Sequence, residues 1–476
     1  MTRTMYLKFN RIIHIVSLTF ILVWQYITGK KESIPNLITV KLTELGGLYI
    51  KFLQILAFKP AFNDEDLFGE SNVFDQLPFE PIHIEKIVQQ LGDPSLVLDN
   101  TVPIAAGSFA QVYGARYKNR PVVIKVLRPS VERFISLDQK LIKLLAYVVA
   151  QFSRYQAYPL KAVVAQFIET TRQETNYILE IEKSEAVRKA YEAWPTIVIP
   201  QTYHALCRKN IIVQERLLGE SITTIITRGA DQPMRQVLSS RLSELGSATL
   251  IASLNGQQTH ADPHPGNILL LEEGEKIGLI DFGISATAPI NRYAFYNLVR
   301  AYNDYYQGQF DFNQFFDALF DFYAPELSNA LKQSDTIYNQ HYRKQITQYA
   351  EDIFMKHSND PDVAFYIKSG RLRELFMNIV NRDNSFGFSV QIDGGEMQAG
   401  AGTFSRLLDA LSMKQEVLSR SYLYAVHYVE QHGLSTNQKS PKLTVEMVAR
   451  SLESWFERIA SSDPILFHTI LKQAKG

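Results

Sequence analysis

Two acidic positions and an amide, the amide and the second acid each bordering a short apolar run, constrain this chain more than any other feature. Asp262 and Asn267 stand five apart in His260-Ala261-Asp262-Pro263-His264-Pro265-Gly266-Asn267, and the apolar run Ile268 to Leu270 follows at once. Nineteen residues after Asp262 comes Asp281-Phe282-Gly283, itself preceded by Gly278-Leu279-Ile280. This order suits one kind of chemistry. The first Asp orients or deprotonates a hydroxyl, while the Asn and the second Asp converge on Mg²⁺ that bridges nucleotide phosphates. Magnesium takes few protein oxygens and completes its shell with water and phosphate. Asn267 and Asp281 are therefore a sufficient pair.

A second set lies upstream. Lys125, in Val122-Val123-Ile124-Lys125, matches the V-A-I-K strand of protein kinases. A lysine inside an apolar strand is costly unless paired. Phosphate oxygens and Glu180, on a long helical stretch, are the candidate partners. Ala105-Ala106-Gly107-Ser108 occupies the phosphate-loop position, and its small side chains let backbone N–H groups approach phosphates. Each element alone is weak, since D-F-G tripeptides arise by chance and a strand lysine can snorkel from an edge. Their shared order and spacing carry the argument. They point to an α+β, bilobal protein-kinase-like fold with a helical N-terminal extension and an enlarged helical C-terminal lobe.

The rest of the chain fits that frame. Hydrophobic residues make up 46% and charged residues 21%, which reads as globular. The balance of 49 basic and 49 acidic side chains argues against nucleic acid as a partner. The single cysteine, Cys207, excludes a disulfide framework or a cysteine-rich zinc site and reads as a small buried filler. Residues 1 to 31 hold Arg3, Lys8, Arg11, Lys30 and Lys31 and no acid, around the apolar run Ile12 to Ile27. A helix over that run spans about 24 Å, short of a hydrocarbon core of about 30 Å. Three readings stand for it: an interfacial helix on anionic lipid, a targeting peptide, or a helix packed on the rest of the protein.

Helical spacing continues over Leu37 to Phe58 and Pro81 to Leu91, the latter closed by Gly92. Strands are expected at Gln111 to Tyr117 and Val122 to Leu127, joined by a turn at Lys118-Asn119-Arg120. Val131 to Ala193 reads as strongly helical. Ile197 to Ile199 and Ile211 to Val213 read as further strands of the smaller lobe, and Ser239 to Leu254 as a helix. After Pro289 the pattern is helical, except for an expected flexible Gly-rich loop from Gly394 to Gly402. The expected domains are residues 1–36, a basic and apolar helix; 37–100, a helical extension; 101–219, a kinase-like N-lobe; and 220–476, a helical C-lobe.

His260 to Asn267 matches residue for residue the H-A-D-P-H-P-G-N loop of the UbiB-type (AarF-type) atypical kinases, and the chain resembles that family from about residue 40 to about 290. The loop from Ala105 resembles the family's Ala-rich loop. Lys51-Phe52-Leu53-Gln54 resembles its K-x-G-Q signature, and Glu174-Thr175-Asn176 its E-x-D signature. The resemblance implies that the extension covers the nucleotide pocket, with Lys51 paired to Glu174, Gln54 facing the nucleotide, and adenine held near Glu215 and Leu217. Three positions depart from the family: Leu53, Asn176 and Gly107 replace Gly, Asp and Ala.

The leading expectation is a Mg-ATP-dependent atypical kinase or ATPase with Asp262 and Lys125 as its catalytic residues. By resemblance it supports ubiquinone or other isoprenoid-lipid metabolism on the cytoplasmic face of a membrane. Its acceptor would be a small or lipid-like molecule, and a homodimer is possible. The rivals are a small-molecule kinase of the aminoglycoside-phosphotransferase type, with an acceptor pocket near Tyr302, Tyr305 and Tyr306, and a nucleotide-binding pseudokinase. His260 and His264 read as hydrogen-bonded histidines, not metal ligands.

Overall fold

The computed structural model describes residues 3–28, 79–107, 109–149, 160–286, 291–309, 311–323 and 395–434, together with Leu42, Leu45, Leu48, Tyr49 and Phe52. It is a mixed α+β structure whose chain divides into two compact units. The first takes Met1–Ser184 and Pro200–Leu217, the second Glu185–Ile199 and Leu218–Gly476.

The first unit is built on an antiparallel sheet in the order β1-β3-β4-β6: β1 (Leu96–Leu98), β3 (Ala110–Tyr117), β4 (Arg120–Leu127) and β6 (Ile211–Glu215), with β2 (Ala105–Ala106) paired to β3. The β3–β4 turn is made by Lys118 and Asn119, both with positive φ (49° and 65°). That geometry matches the right-handed twist of the strands it joins. Alternation along β4 sends Val122, Ile124 and Val126 into a core with Tyr113, Ala115 and Val213. Lys125 falls on the opposite face. The helix α2 (Ile84–Leu91) closes the first face and ends at Gly92, whose φ of 77° is the left-handed cap that glycine takes without strain.

The opposite face belongs to helices. The helix α1 (Arg3–Thr28) buries Ile15 and Leu18, and Leu42, Leu45, Leu48, Tyr49 and Phe52 are helical and buried in the same core. They pack with α3 (Pro129–Val149), α4 (Leu160–Glu174) and α5 (Tyr177–Ala190). One polar knot ties them. Asp138 on α3 accepts Arg11 Nη1 at 2.6 Å and the Tyr49 hydroxyl at 3.1 Å, and the Arg11 guanidinium lies 4.7 Å from the Phe134 ring centroid. Another side of α1 is exposed at Phe9, Ile12, Ile13, Val16, Phe20 and Trp24. The packed reading therefore holds for one face of α1 and leaves a second apolar face open. No helix among the described residues is long and apolar enough to cross a membrane.

In the second unit, β5 (Ile197–Val198), β10 (Lys276–Leu279), β9 (Ile268–Leu271) and β7 (Gly219–Ser221) form a sheet in that order. A second ladder pairs β8 (Thr259–His260) with β11 (Ser285–Ala286). The helices are α6 (Ile222–Arg228), α7 (Gln232–Leu254), α8 (Arg292–Tyr306), α9 (Phe312–Tyr323), α10 (Gly395–Ala410) and α11 (Lys414–His432). The small residues of α7 are its packing face. Ser421 of α11 donates to the Ser243 carbonyl at 3.1 Å, and a Cβ at Gly246 would collide with the Ser421 hydroxyl.

Three expectations change. The helical stretch after Val131 is described as three helices, not one. Between α4 and α5 the Thr175 hydroxyl donates to the Thr171 carbonyl, and the Asn176 N–H turns to Gln173, three residues back instead of four. Side chains of this kind favour turns over helix interiors. Ile197–Val198 runs parallel to Ile277-Gly278 in the second unit and joins no strand of the first. A strand this short, apolar on both sides, carries no pattern that names its sheet. The expected Gly-rich loop is largely helix, since α10 begins at Gly395. Its Gly400 packs directly on the Ala261 backbone, where an added Cβ would lie 2.8 Å from the carbonyl oxygen. That contact offsets a glycine cost of about 1 kcal/mol in a helix.

Removing the Asp138 carboxylate leaves the half-buried Arg11 without its anion, a loss of about 3 kcal/mol at the lower end of the buried-pair range. Asp138→Ala is therefore expected to speed hydrogen exchange in α1 by about 100-fold, with β9 and β10 unchanged. Unchanged exchange in α1 would show that the knot does not hold it.

Candidate nucleotide and phosphoryl-transfer site

The first unit supplies a lysine held by a carboxylate. Lys125 Nζ lies 2.6 Å from Glu180 Oε1, with side chains 17% and 2% exposed. Glu180 sits one turn into α5, and its neighbours Tyr177 and Ile181 pack with Leu127, Phe109 and Ala110. The Lys125 ammonium is also 5.5 Å from the Tyr177 ring centroid. Helical spacing thus puts Tyr177, Glu180 and Ile181 on one face of α5, with the carboxylate flanked by apolar side chains.

The loop between β2 and β3 is a tight hairpin in which Ala105 pairs with Val112 and Ala106 with Gln111. The Gly107 N–H donates to the Ala110 carbonyl at 2.9 Å, and the Gly107 carbonyl accepts from Arg128 Nε at 2.9 Å. That amide is spent inside the hairpin. A Cβ at Gly107 would meet no atom within 4 Å, and its φ is not left-handed, so the backbone does not demand glycine there. Glu215 is exposed at the end of β6; its N–H donates to the Gln201 carbonyl, and its carboxylate accepts the Gln201 N–H. Leu217 is half-buried just beyond. Glu174 is half-buried at the end of α4. Lys51, Gln54 and Ser108 lie outside the described residues, and with them the expected Lys51–Glu174 pair.

The second unit holds a separate cluster of oxygens. Asn267 Nδ2 donates to the Asp262 carbonyl at 3.1 Å and to Asp262 Oδ2 at 3.2 Å. The Asn267 carbonyl accepts the Ile280 N–H at 2.9 Å, which ties the loop to the strand that leads into Asp281. Asp281 is exposed, has φ of 63°, and takes the Gly283 N–H on Oδ1 at 3.2 Å. Left-handed backbone at a non-glycine residue is uncommon and concentrates at functional sites.

His260 holds these pieces together. Its Nδ1 accepts the Asp262 N–H at 3.3 Å, so the ring proton sits on Nε2. From there it donates to the Asp281 carbonyl at 2.8 Å, with the Ile280 carbonyl at 3.2 Å. The buried Phe282 ring meets the imidazole edge-on at 5.1 Å and 87°. Tyr191 supports it from below. Its hydroxyl accepts the His260 backbone N–H and bonds Thr249 at 2.9 Å, and burial pushes its pKa up to about 12. His264 is exposed and accepts the Gly266 N–H on Nδ1 at 3.1 Å. Sequence reasoning had no signal for Tyr191, Thr249 or Gly400. An aromatic in a helical run and a glycine among glycines look like packing and loop.

The donors near Asp262 suit a hard cation. Asn267 spends its amide nitrogen on Asp262 and keeps an oxygen that accepts no hydrogen bond among the described residues. With the exposed Asp281 carboxylate this makes an all-oxygen pair of the kind magnesium prefers.

Residues 93–306 match the description of the ABC1 atypical kinase-like domain. The chain is 28% identical over 268 residues to a protein from Azotobacter vinelandii named "Probable protein kinase UbiB", covering 53% of this chain and 49% of that one. It is 31% identical over 277 residues to an "Uncharacterized protein in hydrogenase 1 5'region" from Clostridium pasteurianum, covering 55% and 49%. The chain thus spans about half the length of the curated relatives it matches. A solved structure of Rv3197 with erythromycin, from Mycobacterium tuberculosis, aligns with a TM-score of 0.46 at 20% identity, covering 87% of this chain and 98% of that one. Residues 93–306 of this chain are thus an ABC1 atypical kinase-like domain, similar to that of proteins named UbiB.

Proposed function

We propose that the chain binds Mg-ATP and transfers or hydrolyses its terminal phosphoryl group. The observation that carries this reading is the Lys125–Glu180 pair, buried at 2.6 Å. A buried ion pair adds little net stability, and apolar residues of like volume often do as well. Keeping one therefore points to a use for the lysine charge. In this reading Lys125 takes the α- and β-phosphate oxygens while Glu180 fixes its position. The Glu215 carbonyl and the Leu217 backbone face the adenine, and Ala105 to Ser108 close over the phosphates.

Asn267 and Asp281 hold Mg²⁺, which supplies charge neutralisation on the phosphate oxygens. Asp262, steadied by the Asn267 amide, orients the acceptor hydroxyl or water and takes its proton. The family name among the relatives favours a supporting role in ubiquinone or other isoprenoid-lipid metabolism. A small or lipid-like acceptor is consistent with that role.

The open face of α1 supports docking to a membrane surface. Phe9, Ile12, Ile13, Val16, Phe20 and Trp24 recur at helical spacing on its exposed side, and the 31 N-terminal residues contain five basic side chains and no acid. An apolar stripe with basic ends fits anionic lipid.

Asp281→Asn is expected to lower ATP turnover by about 100-fold or more, with Mg²⁺ unable to restore it. Turnover equal to the parent would remove Asp281 from the mechanism. Lys125→Met should raise the Kd for Mg-ATP by about 10-fold, measured by calorimetry. For the membrane reading, cosedimentation with vesicles containing 30% phosphatidylglycerol should fall by about 10-fold in Phe20→Asp. Equal sedimentation would exclude the stripe.

A further inference from the structure

Behind the Asp262 loop, the second unit forms a partly open apolar cavity of about 210 Å³. One wall is His260 and Pro263; the others come from α7, α8, α10 and α11, with Phe322 of α9. The chemistry assigned above to Asp262, Asn267 and Asp281 does not use this space.

The shape favours a chain over a ring. Lining residues on α7 run from Leu245 to Ser253, eight residues or about 12 Å of helix. On α8 they run from Phe295 to Tyr306. A dry cavity of about 150 Å³ takes a benzene, so this one takes about eight or nine non-hydrogen atoms.

The lining also sets the polarity of the occupant. It includes no Lys or Arg among the described residues, so an ionised head would be buried unpaired. Both ring nitrogens of His260 are committed, to the Asp262 N–H and to the Asp281 carbonyl. Tyr306 is different. Its side chain is 7% exposed and stacks on Tyr422 at 5.6 Å, yet its hydroxyl makes no hydrogen bond among the described residues. Burial holds that phenol neutral. Tyr306 lines the cavity, and the hydroxyl of a largely buried tyrosine there is suited to one polar partner.

We propose that this cavity binds a single neutral alkyl chain of about eight carbons, or the end of a longer one, whose terminal hydroxyl or carbonyl bonds the Tyr306 hydroxyl. The site is distinct from the nucleotide chemistry, and its test needs no ATP.

Titrating the whole chain with 1-octanol, by saturation-transfer NMR and calorimetry, is expected to show saturable binding. Tyr306→Phe should weaken it by about 5-fold. Leu298→Trp should weaken it by at least about 10-fold, because Leu298 is buried and lines the cavity and the added ring takes up its volume. The melting temperature without ligand checks that this variant folds. Octanoate at pH 8 should bind at least about 10-fold more weakly than 1-octanol. Failure of 1-octanol to saturate overturns the proposal, as does undiminished binding in a folded Leu298→Trp. Equal binding of octanoate overturns the neutral head.

Discussion

The second unit turns on one imidazole in one tautomer. His260 accepts from the Asp262 amide on Nδ1 and donates to the Asp281 carbonyl from Nε2. It thereby ties two segments nineteen residues apart in the chain to a common reference. The neighbouring bonds follow the same line: Ile280 to the Asn267 carbonyl, and Ala261 to the Ile284 carbonyl. Without such ties, an exposed aspartate with φ of 63° would not hold its conformation, because that backbone is disfavoured for any side chain but glycine. The strained backbone at Asp281 is held from both sides, by His260 on its carbonyl and by the Gly283 N–H on its Oδ1.

The first unit handles its buried charges differently. Lys125 and Glu180 neutralise each other at the centre of a face otherwise lined by Tyr177, Ile181 and Leu127. Arg11, Asp138 and Tyr49 repeat the device among the helices. Both clusters cost desolvation and return specificity. The first fixes where a positive charge points; the second fixes how α1 lies on α3.

Much of this was legible in the sequence because strands and turns carry local signatures. The alternation of Val122, Ile124 and Val126 against Lys125 gives the two faces of β4, and Lys118-Asn119 gives the turn. Asp262, Asn267 and Asp281 stand out because their flanking strands are short and apolar. What was not legible is tertiary. Ile197–Val198 could have joined either sheet. The break at Thr175-Asn176 depends on a hydroxyl returning to the Thr171 carbonyl. Gly400 reads as a loop residue until Ala261 is seen beneath it. Tyr191 has no pattern that distinguishes it from any packing aromatic, although it carries the His260 amide.

The position of Gly400 has a consequence for how this domain can be divided. The segment that matches the family description ends at residue 306, yet the floor under Ala261 is laid by a helix that begins at Gly395. A fragment trimmed to the recognisable region keeps every residue of the H-A-D-P-H-P-G-N loop and loses the surface on which that loop rests. The boundary of resemblance and the boundary of mechanical support fall at different places along this chain.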